Sequence, residues 1–267
     1  MSSDPGLLTD YAARVHLETT GPEDGEPVWL LHGWGSHAAN MRPIAEALAA
    51  TYRVFNVDLP GHGRTPPPPD AWGVPEHAAL VAHLIRTHSA PPVTLVGHSN
   101  GGRISLFMAS TPVHEPLVRR LVLISPSGVT PQRGADYYVR STTARLLKAP
   151  FAFLPRPLRE AGLDWLRHTL VWRMLGSSDY QRVQGVMRET FIKTVRHHLD
   201  DQVARIQVPT LLFWGTADAA ISRRQMLHLE DAIPDAGLVT LEGAGHYGYL
   251  DAFHIFHTAT TYFLEHT

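Results

Sequence analysis

Val93-Thr-Leu-Val-Gly-His-Ser-Asn-Gly-Gly102 is the stretch from which the rest of the chain is read. Val93 to Val96 is an apolar, β-branched run of the kind that makes a fully buried strand, and it passes without a spacer into Gly97-His98-Ser99-Asn100-Gly101. A strand that turns at once into a helix brings two backbones together, and glycine at positions 97 and 101 removes the side chains that would collide. Such a turn exposes the Ser99 hydroxyl at the carboxyl edge of a sheet. It also leaves the Asn100 N–H at the start of a helix running from about Gly102 to Ala109, where an unpaired donor and the positive end of the helix dipole face a developing anion. The pattern is the G-x-S-x-G nucleophile elbow. Alone, the pentapeptide fits an ordinary glycine-rich turn equally well, so its meaning rests on whether the serine has partners elsewhere.

Six further strand-like runs surround it: a weakly alternating Ala13 to Thr19, then Val28 to Leu31, Tyr52 to Val57, Arg120 to Ile124, Thr210 to Trp214 and Leu238 to Leu241. Helical periodicity separates most of them: Asn40 and Pro43 open one helix, Pro75 opens another that runs to about His88, and Ser222 opens a third that ends near Ile233. This rhythm predicts a mostly parallel sheet with helices on both faces. It breaks from about Pro131 to Asp200, where no strand-like run appears and helices are expected near 137–148, 156–174 and 179–196. The expected organisation is therefore a core of residues 1–130 and 201–267 with a helical cap, 131–200, inserted into it. Asp58-Leu-Pro-Gly-His-Gly-Arg-Thr65 reads as a mainly structural tight excursion, and Pro66 to Pro69 as an extended surface link.

Composition narrows the function classes. A chain of 267 residues with 44% hydrophobic content builds a real core. A net charge of -2 and no dense Lys/Arg run argue against nucleic-acid or membrane partners. The absence of cysteine excludes a thiol nucleophile, a disulfide framework and a thiolate metal site. The 17 histidines are scattered without ligand spacing, so neither a metal site nor a cofactor is expected. Met1 to Gly6 has no basic or apolar leader, and no stretch reaches the roughly 18 apolar residues of a membrane span, so a cytoplasmic protein is expected.

Partners for Ser99 exist. Thr210 to Trp214 ends in Gly215-Thr-Ala-Asp218, and Leu238 to Leu241 leads to Glu242-Gly-Ala-Gly-His246. Ser99, Asp218 and His246 thus fall at the carboxyl ends of three strands. Serine is a poor nucleophile at its own pKa, so an imidazole must take its proton while a carboxylate fixes the imidazole tautomer. Separately, an aspartate in a turn and a surface histidine are commonplace; the three together form a catalytic constellation. A fourth strand end, Leu31, opens into His32-Gly33-Trp34-Gly35, which sets the Trp34 N–H at the same edge as a second oxyanion donor beside Asn100. Asp251, five residues after His246, is the competing acid, but it is expected to ride on the final helix.

Through His32-Gly33, Asp58-Leu-Pro-Gly-His-Gly63, Gly97-His-Ser-Asn-Gly-Gly102, Trp214-Gly-Thr-Ala-Asp218 and Ala244-Gly-His246, the chain resembles the α/β-hydrolase superfamily over essentially its whole length. The resemblance implies an eight-stranded α/β-hydrolase fold, a Ser99-His246-Asp218 triad, an oxyanion hole from the Trp34 and Asn100 N–H groups, and a cap over the pocket that follows the sixth strand. Ser99 stands where relatives that open halides or epoxides carry aspartate. His98 and Asn100 depart from the Asn and Met that flank the serine in carbon–carbon bond hydrolases of ring-cleavage products, and the Trp that follows it in prolyl aminopeptidases is absent.

The expected activity is hydrolysis of a small carboxylic ester through an acyl-enzyme. Carbon–carbon hydrolysis of a diketone-like acid is the alternative within enzymes, and a small-molecule receptor using the same pocket is the alternative from another class. The 131–200 segment carries 12 Arg/Lys against 6 Asp/Glu, while the remainder carries 11 against 19. It also holds eight aromatics, among them the pocket candidates Tyr137, Tyr138, Trp165 and Trp172. A basic segment with an apolar underside suits a substrate with an acyl or aryl body and an anionic end.

Overall fold

A computed structural model describes residues 5–131 and 184–267. Strand β2 (Pro27–Leu31) shows why the central runs lack polar alternation: Val28 and Leu30 enter one core cluster while Trp29 and Leu31 enter the other. Both faces of such a strand are covered by helices, so both must be apolar. The same split runs through β4 (Val93–His98) and β5 (Val118–Ile124), where Val96, Val122 and Ile124 join Val28 and Leu95, Leu121 and Leu123 join Trp29.

With β1 (Leu17–Thr20), β3 (Arg53–Val57), β6 (Thr210–Gly215) and β7 (Ala236–Leu241), these form a sheet of order β1-β3-β2-β4-β5-β6-β7. Only the β1–β3 pairing is antiparallel. One face is covered by α1 (Pro5–Ala12), α3 (Val74–His88), α4 (Asn100–Ser110) and α6 (Arg223–Ala232), whose Tyr11, Val81, Ile104 and Met226 are buried in one cluster. The other face carries α2 (Ala38–Leu48), α7 (Gly248–Asp251) and α8 (Phe253–His266), through Ile44, Tyr249 and Phe256. Helix α5 (Gly185–Arg196) belongs to the same compact unit, which runs to Pro131 and resumes at Gly185.

The sheet has seven strands among the described residues, not the eight implied by the resemblance. Six of the seven overlap the apolar runs of the sequence; β1 takes only the end of the weakly alternating Ala13 to Thr19 and continues to Thr20, and the chain passes through Gly21 to Glu26 from β1 into the central β2. Among the described residues, the 131–200 segment begins after the fifth strand in chain order. Helix α1 carries no strong periodic signal; it is held by tertiary contacts, with Tyr11 buried against Trp72 at 4.8 Å between ring centroids. Helix α2 starts at Ala38, ahead of Asn40, because the Asp58 carboxylate accepts from the Ala38 N–H at 2.6 Å and caps the helix from a distant loop. Of the three helices expected within 131–200, the last is described from residue 184 onward, as helix Gly185–Arg196; those at 137–148 and 156–174 lie outside the described residues, as do Tyr137, Tyr138, Trp165 and Trp172.

Candidate active site

The elbow takes its shape from close backbone contacts. A Cβ on Gly101 would stand 1.9 Å from the Leu31 carbonyl oxygen, and one on Gly97 would stand 2.7 Å from Gly102 Cα. Only glycine lets β4, β2 and α4 converge here. Ser99 sits between strand and helix at φ 50 and ψ -108, a conformation that L-residues rarely adopt and that costs roughly 1 kcal/mol or more. Hydrogen bonds hold it there: its N–H donates to the Ile124 carbonyl at 3.0 Å, and its carbonyl accepts from the Arg103 N–H, the Ser127 N–H and the Ser127 hydroxyl at 3.0 to 3.1 Å. Asn100 is the first residue of α4, so its N–H lies at the amino end of that helix.

Asp218 and His246 meet because the loops after β6 and β7 are laced together. The Thr216 N–H donates to Leu241, the Ala217 N–H to Ala244, and the Gly243 N–H to the Thr216 hydroxyl, all within 2.8 to 3.0 Å. Gly215 makes the approach feasible, since a Cβ there would lie 2.2 Å from the Ala244 carbonyl oxygen. In this frame His246 Nδ1 stands 2.9 Å from Asp218 Oδ2, and the other carboxylate oxygen accepts from the Ala220 and Ile221 N–H groups at 2.7 and 3.0 Å. The Asp218 side chain is wholly buried and the His246 ring is one quarter exposed (24%). Burial would raise the Asp218 carboxyl, but the hydrogen bonds from His246 and Ile221, the charge on His246 and the nearby Ser125 hydroxyl outweigh it and hold its pKa below the ordinary value. A carboxylate acceptor at Nδ1 puts the proton on that nitrogen and leaves Nε2 as the basic one. Asp251 instead accepts from the Gly245 N–H at 2.8 Å and braces the histidine loop.

Trp34 follows a peptide that is tightly held. The Gly33 carbonyl accepts from His32 Nδ1 at 2.7 Å and from the Ser36 N–H at 3.2 Å, while His32 Nε2 accepts from the Leu59 N–H at 2.9 Å. These roles require a neutral ring, and burial, with His62 beside it, pushes the His32 pKa down to about 3. In a trans peptide the C=O and N–H point in opposite directions, so fixing the Gly33 carbonyl also fixes the Trp34 N–H. The loop runs beside Ser99: a Cβ on Gly33 would lie 3.1 Å from Ser99 Cβ. The Trp34 indole packs between His62, at 4.9 Å, and Phe191 of α5, at 5.0 Å.

Ser127, Ser125, Phe191 and His98 also reach this site, and none is marked by a motif of its own. Ser125-Pro-Ser-Gly128 reads in sequence only as the close of a strand, because the bonds it makes depend on strand register. No group of three or more His, Cys, Asp or Glu side chains among the described residues is arranged to hold a metal ion. No helix among them is long and apolar enough to cross a membrane.

The pimeloyl-[acyl-carrier protein] methyl ester esterase of Chromobacterium violaceum is 30% identical to this chain over 253 residues, covering 89% of this chain and 92% of that protein. Its namesake from Xanthomonas campestris is 27% identical over 253 residues, with 88% and 93% coverage. Among solved structures, the enol-lactonase from Burkholderia xenovorans superposes with a TM-score of 0.70 at 21% identity over 94% of this chain and 96% of that one. Residues 26–253 match the model of the alpha/beta hydrolase fold family, and the chain belongs to that family.

Proposed function

We propose that this protein is a serine hydrolase that cleaves a small carboxylic ester through an acyl-enzyme. The observation that carries the reading is the Asp218–His246 hydrogen bond at the same sheet edge as a serine held at positive φ. His246 Nε2 takes the Ser99 proton as Oγ attacks the ester carbonyl, and returns it to the departing alkoxide. Asp218 keeps the proton on Nδ1 and stabilises the imidazolium. The oxyanion is received by the Trp34 and Asn100 N–H groups, a role supported by the held Gly33 peptide and by the position of Asn100 at a helix start. Water, activated by His246, then attacks the acyl-enzyme and frees Ser99. Relatives named for methyl ester hydrolysis support an ester substrate, and the arginine-rich 131–200 segment supports one with an anionic end.

A fluorophosphonate should modify Ser99 and no other serine by mass spectrometry, and Ser99→Ala should lower kcat by about 10⁴ to 10⁶. A panel of p-nitrophenyl esters of graded acyl length, with free-carboxylate and methyl-ester versions of one compound and a diketone acid alongside, identifies the substrate class. An adduct on Ser36, Ser127 or Ser222, or an active Ala variant, sinks the assignment; turnover confined to the diketone acid transfers it to carbon–carbon hydrolysis.

A further inference from the structure

His98 is a polar side chain in a position where stability alone favours an apolar one. It ends β4, is 1% exposed, and its Nδ1 has no hydrogen-bond partner among the described residues. An unsatisfied buried acceptor costs stability. The other ring nitrogen, Nε2, lies 3.0 Å from the carbonyl oxygen of His246. A carbonyl only accepts, so Nε2 carries the proton and Nδ1 is the bare nitrogen. The ring is enclosed by the rings of Tyr247, His246 and Tyr249 at 4.7, 4.8 and 5.5 Å, and by Gly33, on which a Cβ would stand 2.9 Å from Nδ1. Burial, helped by His246 beside it, pushes the His98 pKa down to about 3, so the ring is neutral and sets no positive charge against an imidazolium on His246.

The lacing of the β6 and β7 loops fixes the base against the acid, but both loops lie on the far side of β5 from the nucleophile strand. His98 spans that gap. It is the residue immediately before Ser99, and its hydrogen bond holds the peptide immediately after His246. We propose that His98 is a positioning residue: its Nε2–H···O=C bond to His246 sets where the base stands relative to Ser99. The inference rests on the triad reading above, in which His246 is the base.

His98→Gln, His98→Asn and His98→Leu test this in the full chain, with a short-chain p-nitrophenyl ester as probe. Glutamine carries an N–H donor close to the place of histidine Nε2, asparagine falls short of it, and leucine has none. His98→Gln should keep kcat within about threefold, while His98→Asn and His98→Leu should lower it about 10- to 100-fold with KM within about twofold. The rate of Ser99 phosphonylation by a fluorophosphonate should fall in the same proportion, because it too needs the base in place. Equal kcat in the Gln and Asn variants, or a change confined to KM, overturns the positioning role. If His98→Leu does not fold, the Gln and Asn pair carries the comparison. His246→Ala serves as control: full activity there refutes the triad reading itself, whereas inactivity there with wild-type rates in all His98 variants refutes only the role of His98.

Discussion

Asp218 and Asp251 both bond to the histidine loop, and what each bond restrains is different. Asp218 touches the imidazole, so Asp218→Asn presents an amide where a carboxylate held the Nδ1 proton, and the tautomer is no longer enforced. That variant should fold normally by circular dichroism and lose about 10⁴ in kcat. The Asp251 carboxylate accepts from the Gly245 N–H, not from the ring of His246. Asp251→Asn should lower stability by about 1 kcal/mol and leave kcat within about tenfold. Measured kcat and melting temperatures for the two variants decide between them, and loss of activity in Asp251→Asn with full activity in Asp218→Asn would reverse the assignment. The depressed Asp218 pKa has a sign of its own: its contribution to stability is present above the unfolded value of 3.8 and is lost as pH falls through the lower folded value.

Asp58 works between elements. One oxygen accepts from the Ala38 N–H at 2.6 Å and the other from the Arg64 N–H at 2.9 Å, and a Cβ on Gly63 would overlap this carboxylate. It thereby ties the start of α2 to the loop after β3, with Asn56 adding a bond from its side-chain amide to the Ala38 carbonyl at 2.8 Å. The structural reading of Asp58 to Thr65 agrees with this geometry. Asp58→Ala leaves both N–H groups without the acceptor and should cost about 2 to 4 kcal/mol. Urea denaturation at fixed pH measures it; a cost under about 0.5 kcal/mol would mean that water replaces the carboxylate at both N–H groups.

At the scale of the molecule, buried neutral histidines govern the response to acid. His32 and His98 are pushed down to about 3 and His77 to about 4, each chiefly by burial. All three stay neutral in the folded chain and take up a proton near 6.5 only when it unfolds. Stability is therefore fully present above about pH 6.5 and is lost as pH falls towards the folded values, by about 1.4 kcal/mol per pH unit for each histidine. The melting temperature should drop steeply between pH 6.5 and pH 4.5 while changing little between pH 8 and pH 7. A flat profile across the acid range, or NMR titration of these rings near 6.5 in the folded protein, would refute the account.

Local pattern by itself determined the seven strands, the helices that separate most of them, and the loops that carry Ser99, Asp218, His246 and Trp34. Those features depend on burial period, on glycine where two backbones touch and on chain order, all of which lie within a few residues of each other. Tertiary structure alone decided the rest. The early start of α2 comes from a carboxylate 20 positions away, the 2.9 Å contact of Asp218 with His246 from the lacing of two loops, and the bond between His98 and His246 from atoms 148 positions apart. A hydrogen bond forms only when donor and acceptor arrive within about 3 Å in the right direction. For residues so far apart in the chain, strand order and register set that meeting, and no short stretch of sequence encodes either.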